Sequence, residues 1–190
     1  EVSTLIMLKI KAIIGRITNN ESKFDADKII LPGVGAFKAG ISALKEKGLF
    51  TFLIDKANDN YHILGICLGF QMLFEQSYEF KKTRGLGIIK GSVEKLSKKK
   101  NFLRIPHIGW NKVIMKKNQN AKILNENNYF YFVHSYIAVP KKKNEIYTFT
   151  KYQNHKFCSS IKKNNIFACQ FHPEKSGKAG LSLIKNFFDN

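Results

Sequence analysis

The sequence predicts an α/β fold: a single domain of three layers around an open, mixed sheet. Up to Gly85, short β-branched and apolar runs alternate with helical patterns, which is typical of parallel β-α-β units. Beyond Gly85, short β-rich segments are separated by turn residues, which favours antiparallel strands and hairpins. A chain of 190 residues suits one ordinary domain, so we expect a single domain over residues 1–190.

The first half of the predicted sheet depends on two strands and the helices that follow them. DKIILPGVG (27–35) predicts a buried strand closed by Pro-Gly-x-Gly, and 37–58 predicts helix with a break at Gly48. YHILGI (61–66) predicts a second buried strand, and LGFQMLFEQS (68–77) predicts a short helix. Parallel strands end at one edge of the sheet, so reactive groups are expected to gather there.

The second half is predicted to contain antiparallel strands and hairpins, which makes the sheet mixed there, and to end in a helix. The predicted strands are GLGIIKGSVEKL, WNKVIM, YFYFVHSYIAV, IYTFTKYQ, KFCSSIKK and NIFACQF. The closing segment SGKAGLSLIKNFFDN predicts an amphipathic helix whose apolar residues are Leu181, Ile184, Phe187 and Phe188.

Composition restricts the class of protein. Hydrophobic residues make up 44% and charged residues 24%, and no run of about 18 apolar residues predicts a membrane span. The lysine-containing opening segment does not have the pattern of a signal peptide. The cysteines Cys67, Cys158 and Cys169 are odd in number and lack C-x-x-C spacing, which argues against a disulfide framework or a zinc site. We expect a cytoplasmic protein without a membrane partner, metal or cofactor.

The net charge of +18 would favour nucleic acid as a partner, but the type of basic residue argues against it. Only Arg16, Arg84 and Arg104 are arginines, the residue best suited to bidentate phosphate and base recognition. The lysines occur in runs such as 98–100 and 141–143, where turns are expected. We expect a solvated surface and no nucleic acid. A nucleic-acid-binding domain is the alternative, and it predicts salt-sensitive binding of oligonucleotides.

Gly65-Ile66-Cys67-Leu68-Gly69 is the candidate nucleophile segment, at the junction of a predicted strand and helix. Glycines two positions on either side of Cys67 would leave room for a tight turn that presents the thiol. A helix N-terminus favours negative charge, so the thiolate would be more accessible there. The Leu68 N–H could face a developing oxyanion. The other interpretation is that Cys67 is a small core residue.

Two further motifs fall at strand ends. In His172-Pro173-Glu174, residues two apart in extended backbone point to the same side, so Glu174 could accept from the His172 ring. The other ring nitrogen would then take the thiol proton. In the segment 32–35 (Pro-Gly-Val-Gly), glycines flank Val34, so the Gly33–Val34 peptide could offer a second N–H to an oxyanion.

These motifs, in this order, closely resemble the class I (triad-type) glutamine amidotransferases. Within that family the chain is similar to glutaminase subunits of imidazole glycerol phosphate synthase, from histidine biosynthesis. The resemblance extends over most of residues 25–190, and it implies the family's flavodoxin-like fold. The matching segments are DKIILPGVGAF, LGICLGFQMLF, GLGIIKG, PHIGWN, YFYFVHSYIAVP and QFHPEKSGKAGL.

The resemblance implies a role for each matched residue. Cys67 would attack the side-chain amide carbon of glutamine, His172 would move protons, and Glu174 would orient His172. Ammonia would leave, and water would hydrolyse the remaining glutamyl thioester. Oxyanion contacts would come from Leu68, Gly33 and Val34. The residues at family positions that hold glutamine are Gln71, His134, Ser135 and Tyr136.

The resemblance also implies a heterodimer in which ammonia passes to a separate (β/α)₈-barrel cyclase subunit. PHIGWN (106–111) resembles a loop near that interface, and Trp110 is either an interface anchor or a core residue. One alternative function is a paralogous glutaminase that supplies ammonia for amination of a cell-surface sugar. Another is a stand-alone cysteine peptidase or hydrolase of the same fold.

The start of the chain departs from the family pattern. The family's first strand and its Asp-Tyr-Gly-x-Gly-Asn-like turn have no match, and VSTLIMLKIKAII (2–14) has instead the pattern of the helix that follows. We therefore expect the first strand to be either missing or divergent.

Overall fold

The computed structural model describes residues 28–96, 104–116, 124 and 128–189. The strands are β1 (Lys28–Leu31), β2 (His62–Ile66), β3 (Phe74–Ser77), β4 (Thr83–Arg84), β5 (Ile89–Lys95), β6 (His107–Met115), β7 (Tyr129–His134), β8 (Tyr136–Pro140), β9 (Ile146–Tyr152), β10 (His155–Lys163) and β11 (Ile166–Cys169). The helices are α1 (Phe37–Glu46), α2 (Leu49–Asn58), α3 (Leu68–Met72) and α4 (Gly177–Asp189). The helix-like segment 2–14 and the lysine run 98–100 lie outside the described residues. Each of these four helices is too short or too polar to span a lipid bilayer.

The strands form a mixed sheet, which confirms the predicted α/β class. The order is β1-β2-β11-β10-β8-β5-β3-β4, and β2 pairs in parallel with both β1 and β11. β10 pairs antiparallel with β11 and with β9. Beyond β9, β6 pairs with β9 and β7 pairs with β6. The strand NIFAC pairs antiparallel with β10, as predicted, and in parallel with β2 on its other side, so the second half of the sheet is mixed.

Alternating residues of the central strands build the predicted layers. Ile29 belongs to a core with α1 and α2, whereas the next residue, Ile30, belongs to a core with α4. Helices therefore cover opposite faces of the parallel strands. Along α4, Ile184 and Phe187 are buried as predicted, but the predicted apolar residues Leu181 and Phe188 are 36% and 44% exposed.

The helical prediction for 37–58 is confirmed, including its break. Gly48 has a φ of 69°, a left-handed conformation that favours glycine, and it separates α1 from α2. The prediction of one helix over 68–77 was wrong in its second half. α3 ends at Met72, and Phe74–Ser77 is strand β3, paired in parallel with β5. The local apolar pattern suits a helix, and the pairing that decides the outcome involves residues further along the chain.

Candidate active site

Cys67 makes the bend between β2 and α3 by itself. β2 ends at Ile66 and α3 begins at Leu68, and between them Cys67 has φ 53° and ψ −108°. Residues with a side chain rarely adopt this conformation, which costs roughly 1–3 kcal/mol. Strain of this kind persists only where the surrounding packing enforces it.

The flanking glycines make that packing possible, because they let neighbouring elements approach the turn closely. A Cβ atom on Gly69 would lie 1.8 Å from the Leu31 carbonyl oxygen, so only glycine lets α3 approach the end of β1. A Cβ atom on Gly65 would lie 3.0 Å from the Cβ atom of Ala168 on β11. The packing and the chemical interpretations of this segment are therefore compatible. The glycines hold the turn, and Cys67 lines a cavity in front of it.

The register between β2 and β11 brings Cys67 close to His172. Ile66 lies opposite Cys169, and the Cys67 N–H donates to the Cys169 carbonyl oxygen at 2.8 Å. The chain then passes from Cys169 through Gln170 to His172, which lines the same cavity as Cys67. Sheet order thus joins two residues that are far apart in the sequence.

Glu174 holds the ring of His172. His172 Nδ1 and Glu174 Oε1 are 2.7 Å apart, which leaves Nε2 as the nitrogen that can exchange protons. Nε2 is buried and has no hydrogen-bond partner among the described residues. His172 itself is extended, as expected before a proline, but the backbone that follows it is not. Pro173–Lys175 is a 3₁₀ turn, which suits a proline at its first position.

The turn that carries Glu174 is fixed from two sides. Ser176 Oγ donates to the His172 carbonyl oxygen at 2.6 Å, and it accepts from the Tyr131 N–H at 3.0 Å. A Cβ atom on Gly180 would lie 1.8 Å from the Pro173 carbonyl oxygen, so α4 packs directly on the turn. The carboxylate therefore does not depend on a mobile loop for its position.

The environment of His172 favours its protonated form. Burial alone would lower the pKa of His172, but interactions with Cys67 and Glu174 raise this pKa to about 9. Cys67 is near enough to interact with the ring, although the two side chains form no hydrogen bond in this conformation. Proton transfer between them would give a Cys67 thiolate beside a His172 imidazolium. The thiolate is then the nucleophile, and the imidazolium is the acid that can return the proton.

The groups expected to form an oxyanion site are present, but they are not arranged as one. The Leu68 N–H donates to the Gly33 carbonyl oxygen at 3.3 Å. That carbonyl and the Val34 N–H belong to one planar peptide and point in opposite directions, so the Val34 N–H points away from Leu68. Leu68 and Val34 both line the cavity. Rotation of this one peptide would free the first N–H and turn the second towards the site.

The cavity in front of Cys67 has a volume of about 490 Å³, within the usual range for small-molecule sites. It is lined by all four residues predicted to hold glutamine, Gln71, His134, Ser135 and Tyr136. Glu79 supplies the only carboxylate among the described lining residues. No three His, Cys, Asp or Glu side chains in the described part of the chain are grouped to hold a metal ion.

Gln71 and His134 differ in the polar atoms that they can offer to a ligand. Gln71 Nε2 donates to the Tyr136 carbonyl oxygen at 3.1 Å and to Gln170 Oε1 at 2.9 Å, whereas Gln71 Oε1 makes no bond within the described part of the chain and could accept one from a ligand. The His134 Nδ1 donates to the Tyr136 carbonyl oxygen at 2.9 Å, and Nε2 lies 2.8 Å from His107 Nδ1. Both ring nitrogens of His134 are engaged, so its ring can shape the cavity wall but cannot hydrogen-bond glutamine.

Sequence reasoning missed three residues near the site: Glu79, His107 and Gln170. Glu79 follows β3, which had been predicted as helix, so its position at the cavity was not evident. His107 lies in PHIGWN, which suggested only an interface. Gln170 did carry a signal, because it shares an alternating pattern with His172. That pattern could not show which atom the amide would meet.

Comparison with known proteins gives one consistent result. Residues 3–190 match the family model described as "Glutamine amidotransferase class-I". The chain is 49% identical over 181 residues to "Imidazole glycerol phosphate synthase subunit HisH" of Pyrococcus furiosus, covering 93% of this chain and 89% of that protein. It is 47% identical over 175 residues to the protein of the same name in Methanocaldococcus jannaschii, covering 91% and 86%.

Solved structures agree on the fold. A structure described as "Crystal structure of glutamine amidotransferase" superposes with a TM-score of 0.68 at 14% identity, covering 94% of this chain and 90% of that one. "Structure of PurLQS from Thermotoga maritima" gives a TM-score of 0.65 at 20% identity, covering 87% and 80%. Likeness at these identities bears on the fold alone, whereas the family match extends over nearly the whole sequence. The chain belongs to the class-I glutamine amidotransferase family.

Proposed function

We propose that the chain is the glutaminase subunit of imidazole glycerol phosphate synthase, and that it supplies ammonia for histidine biosynthesis. Relatives with 49% and 47% identity over about nine-tenths of the chain bear the name of that subunit. The observation that carries the mechanism is that Cys67 and His172 line one cavity while Glu174 holds the His172 ring from behind. A strained turn holds the sulfur, and a carboxylate orients the imidazole.

The reaction follows from this geometry. The Cys67 sulfur attacks the side-chain amide carbon of glutamine, and His172 takes the thiol proton at Nε2. His172 then gives that proton to the amide nitrogen, the carbon–nitrogen bond breaks, and ammonia leaves a glutamyl thioester. Water attacks the thioester carbon while His172 takes a proton from it, and glutamate leaves with the thiol restored. The net change is glutamine plus water to glutamate plus ammonia.

Each tetrahedral intermediate places negative charge on the former carbonyl oxygen. The Leu68 N–H and the Val34 N–H would stabilise that charge after rotation of the Gly33–Val34 peptide. Gly35 on the far side has a φ of 96°, so the loop already uses a conformation that favours glycine. Before rotation the Gly33 carbonyl oxygen occupies the Leu68 N–H, and we expect low activity in that state.

Glutamine would be held by its charged end on one side of the cavity. Its α-ammonium group would donate hydrogen bonds to the Glu79 carboxylate and to Gln71 Oε1, because both are acceptors that line the cavity. Glu79 is itself placed by the Phe37 N–H at the start of α1, which donates to its carboxylate. The strand end at Ser135 and Tyr136 would contact the rest of the substrate.

The partner would be a (β/α)₈-barrel cyclase that docks over the cavity mouth and forms a heterodimer with this chain. Large apolar side chains are exposed there: Val34 by 78% and Phe80 by 86%, both of which line the cavity. On the neighbouring strand β6, Ile108 and Trp110 are 57% and 53% exposed, so Trp110 is a surface residue. Exposed apolar side chains around an active-site mouth suit a protein partner that collects ammonia without releasing it to solvent.

Growth without histidine tests the proposed pathway. The host would lack its own glutaminase and cyclase subunits, and it would carry this chain together with the cyclase subunit of the same organism. We expect growth with the native chain and none with Cys67→Ala at equal protein level. If the native chain accumulates but fails to restore growth, the histidine assignment is wrong and sugar amination becomes the better assignment.

A further inference from the structure

Two buried amides connect the Cys67 sulfur to a backbone carbonyl on β8. Gln170 Nε2 donates to Cys67 Sγ at 3.7 Å, and Gln170 Oε1 accepts from Gln71 Nε2 at 2.9 Å. Gln71 Nε2 also donates to the Tyr136 carbonyl oxygen at 3.1 Å. Gln170 is fully buried and Gln71 is 7% exposed, so bulk water does not compete for these bonds.

The direction of every bond in this chain follows from the carbonyl at its end. A carbonyl oxygen can only accept, so the amide group of Gln71 that faces Tyr136 must be its NH₂. The same NH₂ faces Gln170, so the Gln170 atom opposite it must be the carbonyl oxygen. The NH₂ of Gln170 is then the group left to face Cys67. The reversed amide would place a carbonyl oxygen against the sulfur and an NH₂ against another NH₂.

A second series of hydrogen bonds, the histidine arm, ends at the same Tyr136 carbonyl. His134 Nδ1 donates to it, His107 Nδ1 donates to His134 Nε2 at 2.8 Å, and Asn111 Nδ2 donates to His107 Nε2 at 2.7 Å. Burial lowers the pKa of His134 to about 3 and that of His107 to about 4, so both rings are neutral at ordinary pH. Neutral rings carry one proton each, and only one tautomer of each satisfies this arm.

We propose that Gln170 is a positioning residue of the active site: it directs an N–H at the Cys67 sulfur, and Gln71 and the Tyr136 carbonyl hold it in that orientation. A hydrogen bond donated to sulfur favours the negatively charged thiolate over the thiol. The buried amides set this donor in place before any substrate arrives. The relevance to glutamine hydrolysis rests on the proposed function, but the effect on the sulfur does not.

The test is the rate at which iodoacetamide alkylates Cys67, measured by mass spectrometry across pH in the full-length protein. Gln170→Met keeps the length of the side chain and removes the N–H. At neutral pH we expect alkylation to slow roughly tenfold, a typical effect for a donor to a charged group. Gln170→Glu places an oxygen in that position and is expected to slow alkylation further. At strongly alkaline pH the differences shrink, because the thiol ionises in every variant.

The matched control is Gln76→Met, the same change at a glutamine whose amide bonds the Tyr78 hydroxyl on the surface. It is expected to leave the alkylation rate of Cys67 unchanged. Circular dichroism and cooperative thermal unfolding establish that each variant is folded. If a Gln170 variant does not fold, Gln71→Met replaces it, because this change removes the N–H that orients the Gln170 amide. Its alkylation is expected to slow in the same direction.

Folded variants whose Cys67 is alkylated at the native rate at neutral pH would overturn the proposal. So would an equal slowing at all pH values, because that indicates lost access and not a lost donor. Failure of the proposed function looks different. In that case native Cys67 still reacts faster than in the variants, but the protein with its partner releases no glutamate from glutamine.

Discussion

The His172 side chain combines burial with two interactions that favour its charge. An ordinary histidine has a pKa near 6.5, and Cys67 and Glu174 raise that of His172 to about 9 against the effect of burial. Because the folded value exceeds the unfolded one, protonation of His172 stabilises the fold. This contribution is complete below about pH 6.5 and is lost as the pH rises through about 9.

Glu174→Gln should lower the pKa of His172, since it removes one of the two interactions that raise it. NMR titration of the His172 ring measures this directly, and we expect its midpoint to move towards or below the ordinary value. Urea unfolding at pH 6 and at pH 9.5 should show a smaller difference between the two conditions than in the native protein. The exposed change Lys175→Ala, one residue away, serves as the control. An unmoved midpoint in Glu174→Gln would contradict the role given to the carboxylate.

The roles of residues within a short sequence motif could be predicted, whereas roles that depend on strand pairing or on distant hydrogen-bond partners could not. Cys67 has glycines two positions away on each side, and Pro173 separates His172 from Glu174, so a short segment suffices to suggest each role. Glu79 reaches the cavity only because β3 is a strand beside β5. The direction of the Gln170 amide depends on the Tyr136 carbonyl, which lies in a different part of the sequence.

Among the structural elements, the Pro32–Gly35 loop is the one whose state decides the proposed activity. Its Gly33 carbonyl oxygen accepts from the Leu68 N–H, which an oxyanion would otherwise use. A Cβ atom on Gly33 would lie 3.0 Å from the Leu68 Cβ, so the loop and α3 are in close contact. The strand before the loop was predicted correctly, but no local pattern reports the orientation of a single peptide.

Val34→Pro removes the N–H that is proposed to turn towards the oxyanion. The side chain of Val34 is 78% exposed, so the substitution should disturb little packing. We expect glutamate release to fall by about 10²–10³, as for loss of one oxyanion donor. Val34→Ala shortens the same side chain and keeps the N–H, so it should stay near the native rate. Equal rates for the two variants, measured with the partner present, would show that this N–H takes no part.

At the scale of the whole molecule, the exposed apolar residues around the cavity mouth are its clearest sign of a partner. Phe80 is 86% exposed and has a φ of 57°, so a left-handed turn holds it out from the surface. The net charge of +18 is a poorer guide, because it arises almost wholly from lysines spread along the chain. The fold brings Phe80 and Val34 together from distant segments, which the sequence could not reveal.

Phe80→Ser should weaken binding of the proposed cyclase partner without destabilising this chain. The side chain makes little contact within the molecule, so thermal unfolding is expected to change only slightly. Isothermal titration with the cyclase subunit should show at least about a fivefold loss of affinity, corresponding to roughly 1 kcal/mol for one interface residue. Leu181→Ser, on the exposed side of α4, is the control and should bind normally. Native affinity in Phe80→Ser would place the partner elsewhere.

The most direct test of the proposed chemistry is the release of glutamate from glutamine by the native chain and by Cys67→Ala, each with the cyclase subunit. We expect Cys67→Ala to lose at least about 10³ of the native rate while it still folds and binds the partner. Cys158→Ala changes another buried thiol, whose burial raises its pKa and leaves it unreactive, and it should retain the native rate. Undiminished glutamate release by Cys67→Ala would contradict the assignment of this cysteine as the nucleophile.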